Sequence, residues 1–208
     1  MQIKIPFVEG PGKITPDNAA IASINSVNWP DNFPYKPNVT AKLWHNGKNL
    51  FIKYEVDEKD VMALASIDNG EVWKDSCAEF FVAFDNKGYY NIESNCIGKI
   101  LMSHRKSRKE NVEYASEDVL SLIKRNPSLG SNPFECKPSS EEWSLLLEIP
   151  VSSFFKHDMP DFHGLHAKAN IYKCGDNLPT PHFISWNPIK TENPDFHRPE
   201  FFGDMYFE

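Results

Sequence analysis

The chain has 208 residues, of which 40% are hydrophobic and 25% charged, the balance of one globular domain large enough to bury most of its apolar surface. The formal net charge of -7, with acids spread throughout, argues against nucleic acid as a partner. No apolar run approaches the ~20 residues that cross a bilayer, so no membrane span is expected, and the opening MQIKIPFVEG lacks the apolar centre of a signal peptide. Localisation stays open on that count, because a leader is removed from a mature chain.

In chain order, the first clear element is a hairpin. Ala41–Trp44 and Leu50–Val56 alternate around His45-Asn46-Gly47-Lys48, an Asn-Gly turn. A second hairpin runs from Ser76–Phe84 to Tyr89–Asn95 across Asp85-Asn86-Lys87-Gly88. The basic cluster His104-Arg105-Lys106 to Arg108-Lys109 continues into Glu110 and Glu113 and reads as a solvated loop without a function. Ser116–Lys124 is briefly helical. Strands follow at Trp143–Ile149, Leu165–Cys174, Phe183–Trp186 and Asp204–Phe207, with a short helix at Val151–Phe155. Sixteen prolines cut the chain into short pieces, and no linker or repeat divides it. The expected fold is all-β, an antiparallel β-sandwich (immunoglobulin-like or jelly-roll-like) with one or two short helices, as a single domain over 1–208. Cys77, Cys96, Cys136 and Cys174 make no Cys-x-x-Cys pair or His/Cys cluster, so buried free thiols are expected.

Parity separates the faces of the strands. Ala78, Phe80, Val82 and Phe84 form an apolar face, leaving Cys77, Glu79 and Phe81 on the other. Tyr90 and Ile92 match the first set; Asn91, Glu93 and Asn95 match the second. In Lys168–Cys174, Ala169 and Ile171 point inward and Asn170 and Tyr172 outward. A five-residue loop that keeps both apolar sets inward sets Glu79 near Asn95 and Glu93 near Phe81. The outer side thus collects amides, carboxylates and aromatics.

Val72-Trp73-Lys74-Asp75-Ser76-Cys77-Ala78-Glu79-Phe80-Phe81-Val82 resembles the Val-Trp-x-x-Asp-Ser-Val-Glu segment of family 9 carbohydrate-binding modules, with one residue fewer after the tryptophan. Ile184-Ser185-Trp186 and Asn193 to Gly203 resemble that family's closing segment. The resemblance implies non-catalytic binding of a saccharide end by two aromatic rings and polar strand residues. Carried over, Trp73 is one ring and Phe196 stands where the family usually has a second tryptophan. Glu79 and Asn193 match sugar contacts, while Glu93 and Tyr172 replace a family arginine and glutamine; Asn95 joins the expected polar set. Sugar C–H faces lie on aromatic rings and hydroxyls need carboxylates and amides, which gives these residue types their sense. Trp44, Trp143 and Trp186 are expected in the core. The resemblance also allows a structural calcium ion, among loop acids such as Asp57, Glu58 and Asp60, and implies a periplasmic or secreted protein that supports polysaccharide breakdown alongside glycoside hydrolases.

Two other functions compete. A glycoside hydrolase would use Glu79 and Glu93, whose diagonal placement gives a Cβ separation of about 7 Å. Nothing in the sequence around either acid raises its pKa, and Gly-x-Ser-x-Gly, His-Glu-x-x-His and phosphate-loop motifs are missing. A haem-binding sandwich would draw on Met62, Met102, His104 and His163, whose spacing selects no pair.

Overall fold

The computed structural model describes residues 1–10, 12 and 14–208. Among them the chain forms β1 (Gln2–Ile5), β2 (Ala20–Ser23), β3 (Ser26–Val27), β4 (Asn38–His45), β5 (Asn49–Asp57), β6 (Asp60–Ala63), β7 (Cys77–Ala83), β8 (Tyr89–Asn95), β9 (Ile100–Arg105), β10 (Glu113–Tyr114), α1 (Glu117–Leu122), β11 (Lys124–Pro127), β12 (Phe134–Pro138), β13 (Trp143–Pro150), β14 (His166–Cys174), β15 (Phe183–Ser185) and β16 (Gly203–Phe207). The larger sheet has the order β1-β16-β14-β7-β8-β9-β10, with β15 and β3 attached beside β14; the smaller is β11-β13-β5-β4-β2. β6 and β12 make a separate ribbon. This is the expected all-β sandwich, with one parallel pair, β1 on β16, among antiparallel ones.

The two sheets close on a core that parity foretells. Ala78, Phe80 and Val82 of β7, Tyr90 and Ile92 of β8, and Ala169 and Ile171 of β14 pack with Leu43, Ile52, Tyr54, Leu145 and Leu147 of the smaller sheet. Trp44, Trp143 and Trp186 are buried as expected. Ser116 caps α1 by accepting the Val119 N–H at 3.3 Å. Val151–Ser153 is a 3-10 turn rather than a longer helix. At one end of the sandwich Lys173 of β14 enters the core and pairs with Glu58, which follows β5, at 2.8 Å; neither side chain reaches solvent. Trp143 donates its indole N–H to the same carboxylate at 2.7 Å. Burial, and then the Lys173 charge, lower the neighbouring His182 imidazole to about 2, so the ring is neutral and its Nε2 accepts from Lys173 at 2.8 Å. Glu58 is thereby committed inside the core.

Two expectations need correction. The second hairpin does have a five-residue loop, but it covers Phe84–Gly88, one residue earlier than expected. Phe84 leaves the ladder to pack edge-on against Phe154, ring centroids 4.9 Å apart, and Asp85 accepts the Lys87 N–H in a local turn. The register therefore shifts by two: Glu79 lies directly opposite Glu93, Cys77 opposite Asn95, and Phe81 opposite Asn91. The second correction concerns the outer side of the larger sheet. Every β8 residue is buried, so this face is a second, covered layer rather than a solvated one. Trp29, Val72, Phe81, Tyr89, Leu101, Tyr172, Ile189, Phe196 and Phe202 form its apolar cluster.

Candidate functional site

The second layer is roofed by the chain between β15 and β16. Trp29 Nε1 donates to the Thr191 carbonyl at 2.8 Å, Asn28 Oδ1 accepts the Ile189 N–H at 2.8 Å, and Asn170 of β14 binds Asn187 in both directions at 2.8 and 2.9 Å. Where this roof stops short of the sheet, a cavity of about 380 Å³ opens, lined among others by Trp73, Glu79, Glu93, Arg105, Asp176 and Phe196.

Trp73 sits half-buried on a 3-10 turn, Val72–Lys74, whose Val72 anchors in the apolar cluster. The turn is set by Asp75: its carboxylate accepts the Leu64 and Ala65 N–H groups at 3.0 and 2.9 Å and the Asn95 amide at 2.9 Å. Ser76 Oγ accepts the Met62 N–H at 3.2 Å. Opposite Trp73's turn, Phe196 enters the cavity wall from the roof. Its ring stacks on Tyr172, centroids 4.2 Å apart and planes within 8°, and the Tyr172 hydroxyl donates to its carbonyl at 3.1 Å.

The floor is the cross-strand pair Glu79 and Glu93. Glu79 accepts from Cys174 Sγ at 3.1 Å and Glu93 from Asn91 Nδ2 at 2.8 Å. A hydrogen-bonded chain continues through Ser103, which donates to Asn91 Oδ1 at 2.5 Å, to Arg105, whose Nε and Nη2 reach Ser103 Oγ at 2.9 and 2.6 Å. Burial, then the charge of Glu93, pushes the Glu79 carboxyl well above the usual range; burial raises Glu93 to about 7 and Asp176 to about 6. Two carboxyls side by side in a dry floor do not both ionise near neutrality, so the pair holds a proton there and offers a donor as well as acceptors. The expectation that neither acid is perturbed is thus overturned by a covering layer that sequence parity does not reveal. Burial lowers His197 to about 3, helped by Arg105 and Arg108, and its Nδ1 lies 2.9 Å from the Tyr89 hydroxyl.

Of the seven residues expected at the site, Trp73, Glu79, Glu93 and Phe196 line the cavity and Asn95, Tyr172 and Asn193 do not. Asn95 is buried with its amide donors on Ala65 O and Asp75 and its Oδ1 accepting the Lys99 N–H, leaving nothing for a ligand. Tyr172 is fully buried behind Phe196. The Asn193 side chain points to solvent beside the wall that Pro194, Asp195 and His197 form. Arg105, Arg108 and Lys109, read as a solvated loop, also line the cavity, and Arg105 is buried at the end of β9. The missed signal is the alternating run Ile100–Arg105 beyond a turn at Gly98, which sets Leu101, Ser103 and Arg105 beside Glu93, Asn91 and Tyr89. Met102 packs in the main core, and His104 lines a separate hollow with His157, so the sulfur and imidazole types named for haem do not gather here.

The sequence profile described as carbohydrate-binding family 9 matches residues 10–207. The chain belongs to carbohydrate-binding family 9. Among solved structures, a candidate carbohydrate-binding protein from Bacteroides uniformis is 40% identical, with 100% of this chain and 99% of that one covered and a TM-score of 0.92. Two family 9 modules from Caldicellulosiruptor kristjanssonii share the fold at a TM-score of 0.61: one in complex with cellotriose, 12% identical over 100% of this chain and 94% of that one, and one in complex with glucose, 15% identical over 100% and 96%. No curated protein matches the chain. The cavity here rests on β7 and β8 as a floor, with the Trp73 turn and the Phe196 segment as walls. Among the described residues no helix is long and apolar enough to cross a membrane.

Proposed function

We propose that the cavity holds the end of an oligosaccharide or polysaccharide without cleaving it. The observation that carries this reading is the composition of one 380 Å³ hollow: aromatic walls from Trp73 and Phe196 above a floor of paired carboxyls and Arg105. The size suits one or two pyranose units, and aromatic faces with a few convergent polar groups are what sugar recognition needs. Glu79 and Glu93 bind hydroxyls; Arg105 joins them in place of Asn95 and Asn193, and Tyr172 positions Phe196. The cellotriose and glucose held by family relatives make β-linked glucose the first ligand to try.

Hydrolysis is disfavoured by the same geometry. A glycosidase flanks the scissile bond with its two acids, about 5 to 9.5 Å apart. A directly opposed cross-strand pair projects both from one surface, on the same side of any bound sugar. The chain then acts as one binding domain, in the periplasm or outside the cell, in support of glycoside hydrolases. Calorimetry with glucose, cellobiose and cellotriose, and with the same sugars blocked at the reducing end, tests this. Trp73→Ala removes binding by tenfold or more while leaving the melting temperature nearly unchanged, since the ring is only half-buried, and no reducing sugar is released over time. Binding that survives Trp73→Ala, or binds no sugar in either protein, overturns it.

A further inference from the structure

We propose that Cys77, Cys174 and Glu79 form a site for a thiophilic divalent cation, of the Zn²⁺ or Cd²⁺ kind, at the floor of the cavity. Their ligand atoms all lie within 4.8 Å of one another and all three residues are buried. The arrangement follows from the register. Cys77 and Glu79 are two residues apart on one face of β7, and Cys174 is the direct partner of Cys77 on β14. The triangle therefore stands on two paired strands, which hold ligands more firmly than loops do. With metal–sulfur and metal–oxygen distances near 2.3 and 2.0–2.2 Å, tetrahedral ligand atoms lie about 3.4–3.8 Å apart, within small side-chain rotations of the present spacing.

The donor set decides the class of ion. Two thiolates and one carboxylate suit a soft or borderline cation; calcium and magnesium take six or more oxygens. Cys174 and Glu79 line the cavity, so an ion has an entry path and a fourth position open towards it. Asp176 lines the same cavity. Thiols bind a metal as thiolates, so binding releases protons and affinity rises with pH. Glu79 is also part of the saccharide floor, so metal and sugar weaken each other reciprocally; only this last clause rests on the proposed function.

The experiment uses Cys136→Ser protein, because Cys136 is an exposed thiol that would add a background site. The protein is kept reduced with a phosphine and titrated with Co²⁺ in the absence of sugar. One equivalent should bind with the absorption of thiolate-to-cobalt charge transfer, be displaced by Zn²⁺ and resist excess Ca²⁺. Affinity should fall at least tenfold in Cys77→Ala and in Glu79→Gln, and at least tenfold per unit as pH drops from 8 to 6. A titration without the charge-transfer band, displacement by Ca²⁺, or unchanged affinity in Cys77→Ala overturns the proposal. The cobalt spectrum of the Cys136→Ser protein decides the matter even if a floor variant misfolds. Because sugar is absent, failure here leaves the saccharide reading untouched, and the converse holds.

Discussion

Glu93 shows how much one covered position changes an ordinary acid. In the unfolded chain it ionises near 4.5; in the folded protein burial holds it to about 7, and the Glu79 carboxyl is likewise held well above its usual range. The folded state thus binds more protons than the unfolded state, and stability falls as pH rises through that window. The buried histidines act oppositely: His182 and His197, lowered to about 2 and about 3, add stability as pH rises, but only until unfolded imidazole has lost its proton near 6.5. The Glu93 contribution is lost between about pH 4.5 and 7, so it is read as the difference between the native protein and Glu93→Gln, in which the histidine contributions cancel. The melting temperature of the native protein should fall relative to that of Glu93→Gln, which cannot ionise, as pH rises from about 5 to 7.5. Parallel slopes in thermal melts of both proteins would remove Glu93 from this account.

At the scale of elements, the site depends on Asp75, a residue that does not itself line the cavity. Asp75 gathers Leu64 N–H, Ala65 N–H and the Asn95 amide around one carboxylate and so fixes the turn that carries Trp73. Asp75→Ala leaves these donors without an acceptor and should cost about 2–4 kcal/mol in urea unfolding, given ~1–3 kcal/mol per stranded buried group. It should also weaken saccharide binding through the displaced tryptophan, whereas Trp73→Ala weakens binding alone. The sequence shows these elements unevenly. β8 is legible to the residue because Tyr89–Asn95 alternates between clean breakers, and β7, β13 and β14 are found within a residue or two. β9 is hidden because His104 and Arg105 share a charge-rich run with Arg108 and Lys109. Asn95 has the right parity for the site and the wrong fate, since parity gives a face and says nothing of which neighbours reach that side chain first.

For the whole molecule, the sandwich is held at one end by a charge pair that crosses between its sheets. Lys173→Met strands Glu58 in the core beside Trp143 and should destabilise the protein by about 3–5 kcal/mol, the usual outcome when one member of a buried pair is removed. Adding Glu58→Gln should recover much of the loss in the same urea titration; a double variant no more stable than the single would point to packing of the lysine stem instead. Sandwich class, main core and most strands could be read from alternation alone, but the second layer could not. Its roof, 186–202, carries no strand periodicity and gains its place by long-range ties to Trp29, Asn28, Asn170, Tyr172 and Tyr89. The β4–β5 and β7–β8 hairpins are close in sequence, whereas the roof, like the β1–β16 pair, must join distant segments, such as Asn28 with Ile189 across 161 positions. The cavity lies between that roof and the sheet, with Phe196 and His197 on one side of it and Glu79 and Glu93 on the other, so an occupant touching both acts as a latch between them.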